Sequence, residues 1–237
     1  MTAQIPLIDY HVHLSPDLTL ENAVKLAAER QMQFGIVEHP GPGAGIETDA
    51  GLGDYIAALR RYPVFVGLQP MYRDWSRAFS TDAIKQLDYV LMDADTVPLD
   101  DGKWLHIWKH DNFIDDLHVF MDQYLQHIAN ILMYEPINIF GRPTYLPINF
   151  ARHYDEIWTD ERMHLIIDLA KERNIALEIA ENVRVPSMAF IKRAKAEEIK
   201  FTFGTNARNQ NAGNLHYCLE MAEVCGLTKN DMFYLDK

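Results

Sequence analysis

Seven short apolar runs alternate with six longer stretches of helical periodicity, and that alternation restricts the chain to an α/β architecture. The runs are Leu7–Leu14, Gly35–His39, Val64–Leu68, Tyr89–Asp93, Ile137–Phe140, Ala176–Ile179 and Lys200–Phe203. Between them lie Leu20–Gln31, Asp54–Arg61, Ile114–Met133, Glu161–Arg173, Pro186–Glu198 and Ala212–Cys225. Several runs are apolar throughout rather than at every second position, as in parallel strands covered on both faces. Strands separated by helices call for crossover connections and a parallel sheet. Seven strands are near the number that closes a barrel, which would gather the strand C-termini at one mouth. An open doubly wound sheet competes, but no glycine fingerprint for a dinucleotide follows the first run.

Local signals agree with this division. Thr19 is an expected N-cap for the first helix, Asn174 is expected to stop the fourth, and Gly226 the last. The segment Gly41–Gly53 holds five glycines and is predicted to be a mobile loop over the mouth. At 237 residues and 48% apolar, one domain over residues 1–237 can bury a sizeable core. No apolar run approaches the roughly 20 residues that span a bilayer, and no secretory leader is evident. Cys218 and Cys225 lie about two helical turns apart, too far for one disulfide, so free thiols and a cytoplasmic setting are expected. A formal charge of −12 argues against a nucleic-acid surface but leaves room for a small anionic molecule in a locally positive pocket.

The chemistry collects at the ends of the runs. His11 and His13 close the first; two residues apart on an extended segment, they face the same way and suit a borderline metal ion. Glu38 and His39 end the second run, and Gln69 follows the third. Asp93 and Asp95 follow the fourth, Arg142 the fifth. Glu178, Glu181 and Asn182 lie on or after the sixth, and Asn206 and Arg208 follow the seventh. A closed barrel would deliver all of these to one rim.

The order of these segments resembles the PHP family, named for domains of bacterial polymerases and histidinol phosphatases. Asp9-Tyr10-His11-Val12-His13 resembles its opening motif, and Ile36-Val37-Glu38-His39 its usual Thr-Asp-His segment. Val66-Gly67-Leu68-Gln69 resembles a strand ending in Gly-x-Glu, and Leu87-Asp88-Tyr89-Val90, running on to Asp95, a segment ending in a ligand His. Phe140-Gly141-Arg142-Pro143 resembles Gly-His-Pro, and Phe203-Gly204-Thr205-Asn206-Ala207-Arg208 resembles Gly-Ser-Asp-Ala-His. The resemblance runs through nearly the whole chain. It implies a distorted seven-stranded, TIM-barrel-like (β/α)7 barrel and phosphoester hydrolysis with two or three metal ions.

The departures share an electrostatic direction. Where the family has a bridging carboxylate and a late Asp, this chain has the amides Gln69 and Asn206. Three expected His ligands are Asp95, Arg142 and Arg208. A guanidinium cannot release its proton to bind a metal, and its repulsion of a nearby cation is about 4 kcal/mol per unit-charge pair in a screened site. It can instead hold a phosphate or carboxylate through two hydrogen bonds.

Two mechanisms compete. In the first, one divalent ion (zinc, manganese or iron) sits on His11, His13 and a carboxylate, Asp95 or Glu178. Arg142, Arg208, Gln69 and Asn206 bind an anionic substrate, and Glu38 or His39 is the general base. In the second, no metal binds, and the arginines make the mouth an anion site or serve metal-free acid–base chemistry. Arg142 and Arg208 could also pair with Glu178, Asp93 or Asp95 as structural salt bridges. A related amidohydrolase also opens with His-x-His, but the metal-binding Asp it usually carries after the last strand is missing. His118, His127, His153 and His164 are expected at the surface or an interface, and His216 is a further residue to place at the mouth. His106 and His110 share a face if helical, and the aromatic stretch Trp104–Phe113 is expected to pack under a loop.

Overall fold

The computed structural model describes residues 5–41, 43, 45–99, 102–109, 114 and 116–235. Its strands are β1 (Ile8–Val12), β2 (Gln33–Glu38), β3 (Phe65–Leu68), β4 (Tyr89–Met92), β5 (Thr96–Pro98), β6 (Trp104–His106), β7 (Ile139–Phe140), β8 (Ala176–Ala180) and β9 (Phe201–Gly204). Seven of them, β1-β2-β3-β4-β7-β8-β9, close into a parallel barrel. The closed TIM-barrel-like fold expected from the alternation is the fold observed. Helices α1 (Leu20–Glu29), α2 (Asp49–Leu59), α3 (Thr81–Ile84), α4 (Leu117–Tyr134), α5 (Tyr154–Ile157), α6 (Asp160–Arg173), α7 (Met188–Ala196) and α8 (His216–Val224) follow in chain order. No helix among the described residues is long and apolar enough to cross a membrane.

The predicted stops hold. Thr19 accepts from the Asn22 N–H, Asn174 ends α6 at φ 54, and Gly226 sits at φ 62. Three expectations fail. The glycine segment is not loop throughout, because Thr48 caps α2 by accepting from Gly51 N–H and the helix begins at Asp49. An antiparallel hairpin, β5–β6, interrupts the alternation after β4; at three residues per strand it carries too little periodicity to read. His106 lies on β6 rather than on a helix, and His110 lies outside the described residues.

Two packing layers position the mouth. Helices cover the outside of the barrel, while Ile8, Tyr10, Val37, Phe65, Tyr89 and Leu91 fill its lower interior, joined by Phe233 and Leu235. Tyr10 is the hub of this plug, with ring centroids 5.7 Å from Phe65, 5.3 Å from Tyr89 and 5.8 Å from Phe233. Gly67 is required because a Cβ there would lie 2.5 Å from Tyr89 Cζ. Above the plug the interior turns polar. β1 carries an extra residue against β2, with Asp9 opposite Phe34 but Val12 opposite Ile36. Such a bulge re-aims side chains, so His11 and His13 follow Tyr10 into the barrel.

Candidate anion site at the barrel mouth

Asp9 fastens the seam on which the mouth depends. Its buried carboxylate accepts from Thr205 Oγ1 at 2.6 Å, Gly213 N at 2.8 Å, Thr205 N at 3.0 Å and His11 N at 3.1 Å. Burial raises its pKa, and these four donors oppose the rise. The next contact, His13 N to Ala207 O at 2.9 Å, brings β1 beside the segment carrying Arg208.

His11 and His13 do converge, with ring centroids 5.4 Å apart, and His39 stacks on His13 at 4.9 Å. His11 Nδ1 donates to Glu178 Oε1 at 2.7 Å. Gly204 makes room for this pair: a Cβ there would overlap Glu178 Oε1 and lie 2.8 Å from His11 Cβ. His11 Nε2 and His13 Nε2 are buried without a partner. Burial, then the neighbouring His11, Arg208 and His39, keep the His13 pKa well below its ordinary value.

Arg142 takes the centre of the interior. Its Nη2 lies 2.7 Å from Asp93 Oδ2 and 2.9 Å from Asp95 Oδ2, with the guanidinium 9% exposed. The backbone stands at φ 47, a left-handed conformation that costs a non-glycine residue about 1–3 kcal/mol. Glu178 Oε2 secures it by accepting from Arg142 N at 2.9 Å. Burial pushes the Asp93 carboxyl up, but Arg142 and the hydrogen bonds on it hold the group below its usual range. Gln69 Nε2 at 2.6 Å, Arg142 Nη2 and Asp95 N at 3.1 Å saturate it. Asp95 has Arg142 alone against complete burial. Desolvation drives its pKa well above its ordinary value; Arg142 opposes the rise, and Asp93 and Glu178 add to it.

The residues expected to hold a metal are not gathered into one group. Among the described residues, no group of three or more His, Cys, Asp or Glu side chains is arranged to hold a metal ion. Glu178 is spent on His11 and the Arg142 backbone, and Asp95 lies against a guanidinium rather than beside the two imidazoles. Both carboxylates expected to join the two imidazoles are thus engaged elsewhere, and the salt-bridge reading of Arg142 is the one observed.

The remaining expected residues meet at the rim. A cavity of about 440 Å³ opens there, lined by His39, Gln69, Asp93, Arg142, Asn206 and Arg208 among others. His39 Nδ1 lies 2.8 Å from the Gln69 carbonyl, which can only accept, so that nitrogen carries the proton. Arg208 Nη2, which can only donate, approaches His39 Nε2 at 3.3 Å and requires the same tautomer. His39 thus presents a lone pair beside a cation, and burial lowers its pKa, with Arg208 a smaller contribution in the same direction. Glu38 is turned back on its own strand end, accepting from His39 N at 2.8 Å, and is not a base aimed into the cavity. Asn206 stands at φ 50 and offers Oδ1 to Arg208 at 3.3 Å.

Other histidines lie elsewhere. His118, His164 and His216 are exposed, and His153 is half-buried on a short helical turn away from the mouth. His127 corrects its expectation: it is 2% exposed on α4, and desolvation, with Arg73, lowers its pKa to about 4. Glu47 and Asp49 do not enter the mouth; they accept from Gly43 N and Ser80 N. Asp9, Trp108 and Tyr145 are the site residues that sequence reasoning missed: Asp9 reads only as part of the opening motif, Trp108 as packing under a loop, and Tyr145 carries no local signal.

No family model matches the chain, and no curated protein matches it. Solved structures do. A chain of an archaeal ribonuclease P with mature tRNA is 12% identical, with 97% of this chain and 96% of that one covered at a TM-score of 0.43. A tetrameric deoxyribose phosphate aldolase from Aeropyrum pernix is 10% identical, with coverage of 95% and 84% at a TM-score of 0.45. The citrate synthase SbnG is 11% identical, with 93% of each chain covered at a TM-score of 0.42. At these identities and scores the likenesses assign no activity to the chain.

Proposed function

We propose that the chain is a PHP-like barrel whose metal cluster has been replaced by internal charge pairs, and that its mouth binds a small phosphate- or carboxylate-bearing molecule. The observation that carries this reading is Arg142 Nη2, 2.7 and 2.9 Å from two buried carboxylates. Arg142 supplies positive charge to Asp93 and Asp95 inside the barrel, in place of a metal ion. Arg208 is left at the rim as the positive group facing the cavity, with Asn206 and His39 beside it. An anion on Arg208 gains charge-assisted hydrogen bonds, and its negative charge raises the basicity of the adjacent His39 Nε2.

A second reading, hydrolysis of a phosphoester on that anion site, draws on His39 alone. Its lone pair is held in one tautomer beside the cation, as a base activating water would need. Both readings are tested on protein purified without chelators. Phosphate at 100 times its Kd should stabilise the fold by about 2.7 kcal/mol, a rise of roughly 5–11 °C in Tm for a chain of this size. The rise should survive EDTA and vanish in R208A. A metal content near one equivalent, or a phosphate effect abolished by EDTA, overturns the metal-free assignment. Turnover of a phosphomonoester that disappears in H39A would establish the second reading; binding without turnover leaves the first.

A further inference from the structure

The rim of the cavity is divided between two arcs. Following the strand order, His39 comes after β2, Asn182 after β8, and Asn206 and Arg208 after β9, so hydrogen-bonding groups occupy the side on which β1 closes. On the facing side Met71 comes after β3, Trp108 after the hairpin inserted behind β4, and Tyr145 after β7, so apolar groups stand there beside Gln69, Asp93, Thr96 and Arg142. Both aromatic rings are half-buried at the cavity wall, and for Trp108 this replaces the expected packing under a loop. Neighbours keep them in place. Trp108 lies against His106 with ring centroids 4.7 Å apart, and the Arg142 guanidinium lies 5.7 Å from the Tyr145 ring centre.

Size points the same way. A water molecule takes about 30 Å³ in the liquid, so about 440 Å³ holds some fifteen of them. A five-atom oxyanion on Arg208 fills a fraction of that space. A ligand that fills the cavity needs an acid group at one end and a flat apolar body at the other.

We propose that the ligand is an aromatic acid, its carboxylate or phosphate on Arg208 and its ring against Trp108 and Tyr145. This rests on the anion site described above. The test compares four probes by calorimetry on the full chain: phenyl phosphate against methyl phosphate, and benzoate against acetate. Each aryl probe should bind about tenfold more tightly than its alkyl counterpart. The ratio should fall to near one in W108A and persist in W108F, with the affinity for inorganic phosphate unchanged in both variants. The better aryl probe identifies the acid group. Equal affinity of aryl and alkyl probes, with inorganic phosphate still bound through Arg208, overturns the aromatic assignment and leaves the anion site standing. No binding of inorganic phosphate or of any probe overturns both.

Discussion

Arg142→Met is the substitution that most directly tests the charge arrangement of the barrel interior. Met keeps much of the side-chain volume and removes the charge. Asp93 then retains only Gln69 Nε2 and Asp95 N as donors, with His11 left as the weaker positive influence on it. Removing one partner of a buried pair costs about 3–5 kcal/mol. The lower figure applies here, because Asp93 keeps two of its three donors. At roughly 2–4 °C per kcal/mol for a chain of this length, Tm should fall by about 6–12 °C at pH 7. The deficit should shrink in acid. In wild type the depressed Asp93 pKa contributes stability that is present above the unfolded value of 3.8 and is lost as pH falls through the folded value. In the variant the folded pKa lies above 3.8, so the penalty grows as pH rises from there. The double variant R142M/D93N, which removes the more closely paired of the two carboxylates, should recover more than half of the loss. Thermal denaturation by circular dichroism between pH 3.5 and 7.5 measures all of this. An R142M Tm within 2 °C of wild type, or no recovery in the double variant, would refute the account of Arg142 as an internal counter-charge.

Three further outcomes are expected. Gly204→Ala puts a methyl group onto Glu178 Oε1 and against His11 Cβ, so urea denaturation should show a loss of about 1–3 kcal/mol or more, together with weakened phosphate binding. Glu178→Gln removes the charged acceptor of both His11 Nδ1 and Arg142 N; a loss of about 1–3 kcal/mol is expected, and an unchanged denaturation midpoint would count against the pairing. His127 has a folded pKa near 4 against an ordinary 6.5, so the unfolded chain takes up its proton first as pH falls. Stability should drop by roughly 3 kcal/mol between those two values, at about 1.36 kcal/mol per pH unit, and His127→Leu should flatten that limb of the pH–stability profile.

What the sequence determines here is everything set by neighbours in the chain. Apolar runs against helical periodicity mark all seven barrel strands within a few residues, and Thr19 and Asn174 mark helix ends, because strand and helix patterning, capping and left-handed turns act over one to four residues. The residue types that gather at the mouth are legible for the same reason: each sits where a run ends. The tertiary structure alone decides who faces whom. Arg142 meets Asp93 49 positions away, and Glu178 meets His11 across 167 positions, so whether a carboxylate coordinates a cation, steadies an imidazole or neutralises a guanidinium depends on barrel closure. Burial is decided there too. It raises the Asp95 pKa, lowers that of His127 and turns Trp108 to the cavity, because the cost of a charge and the gain from a ring both scale with exclusion from water, which no local pattern encodes.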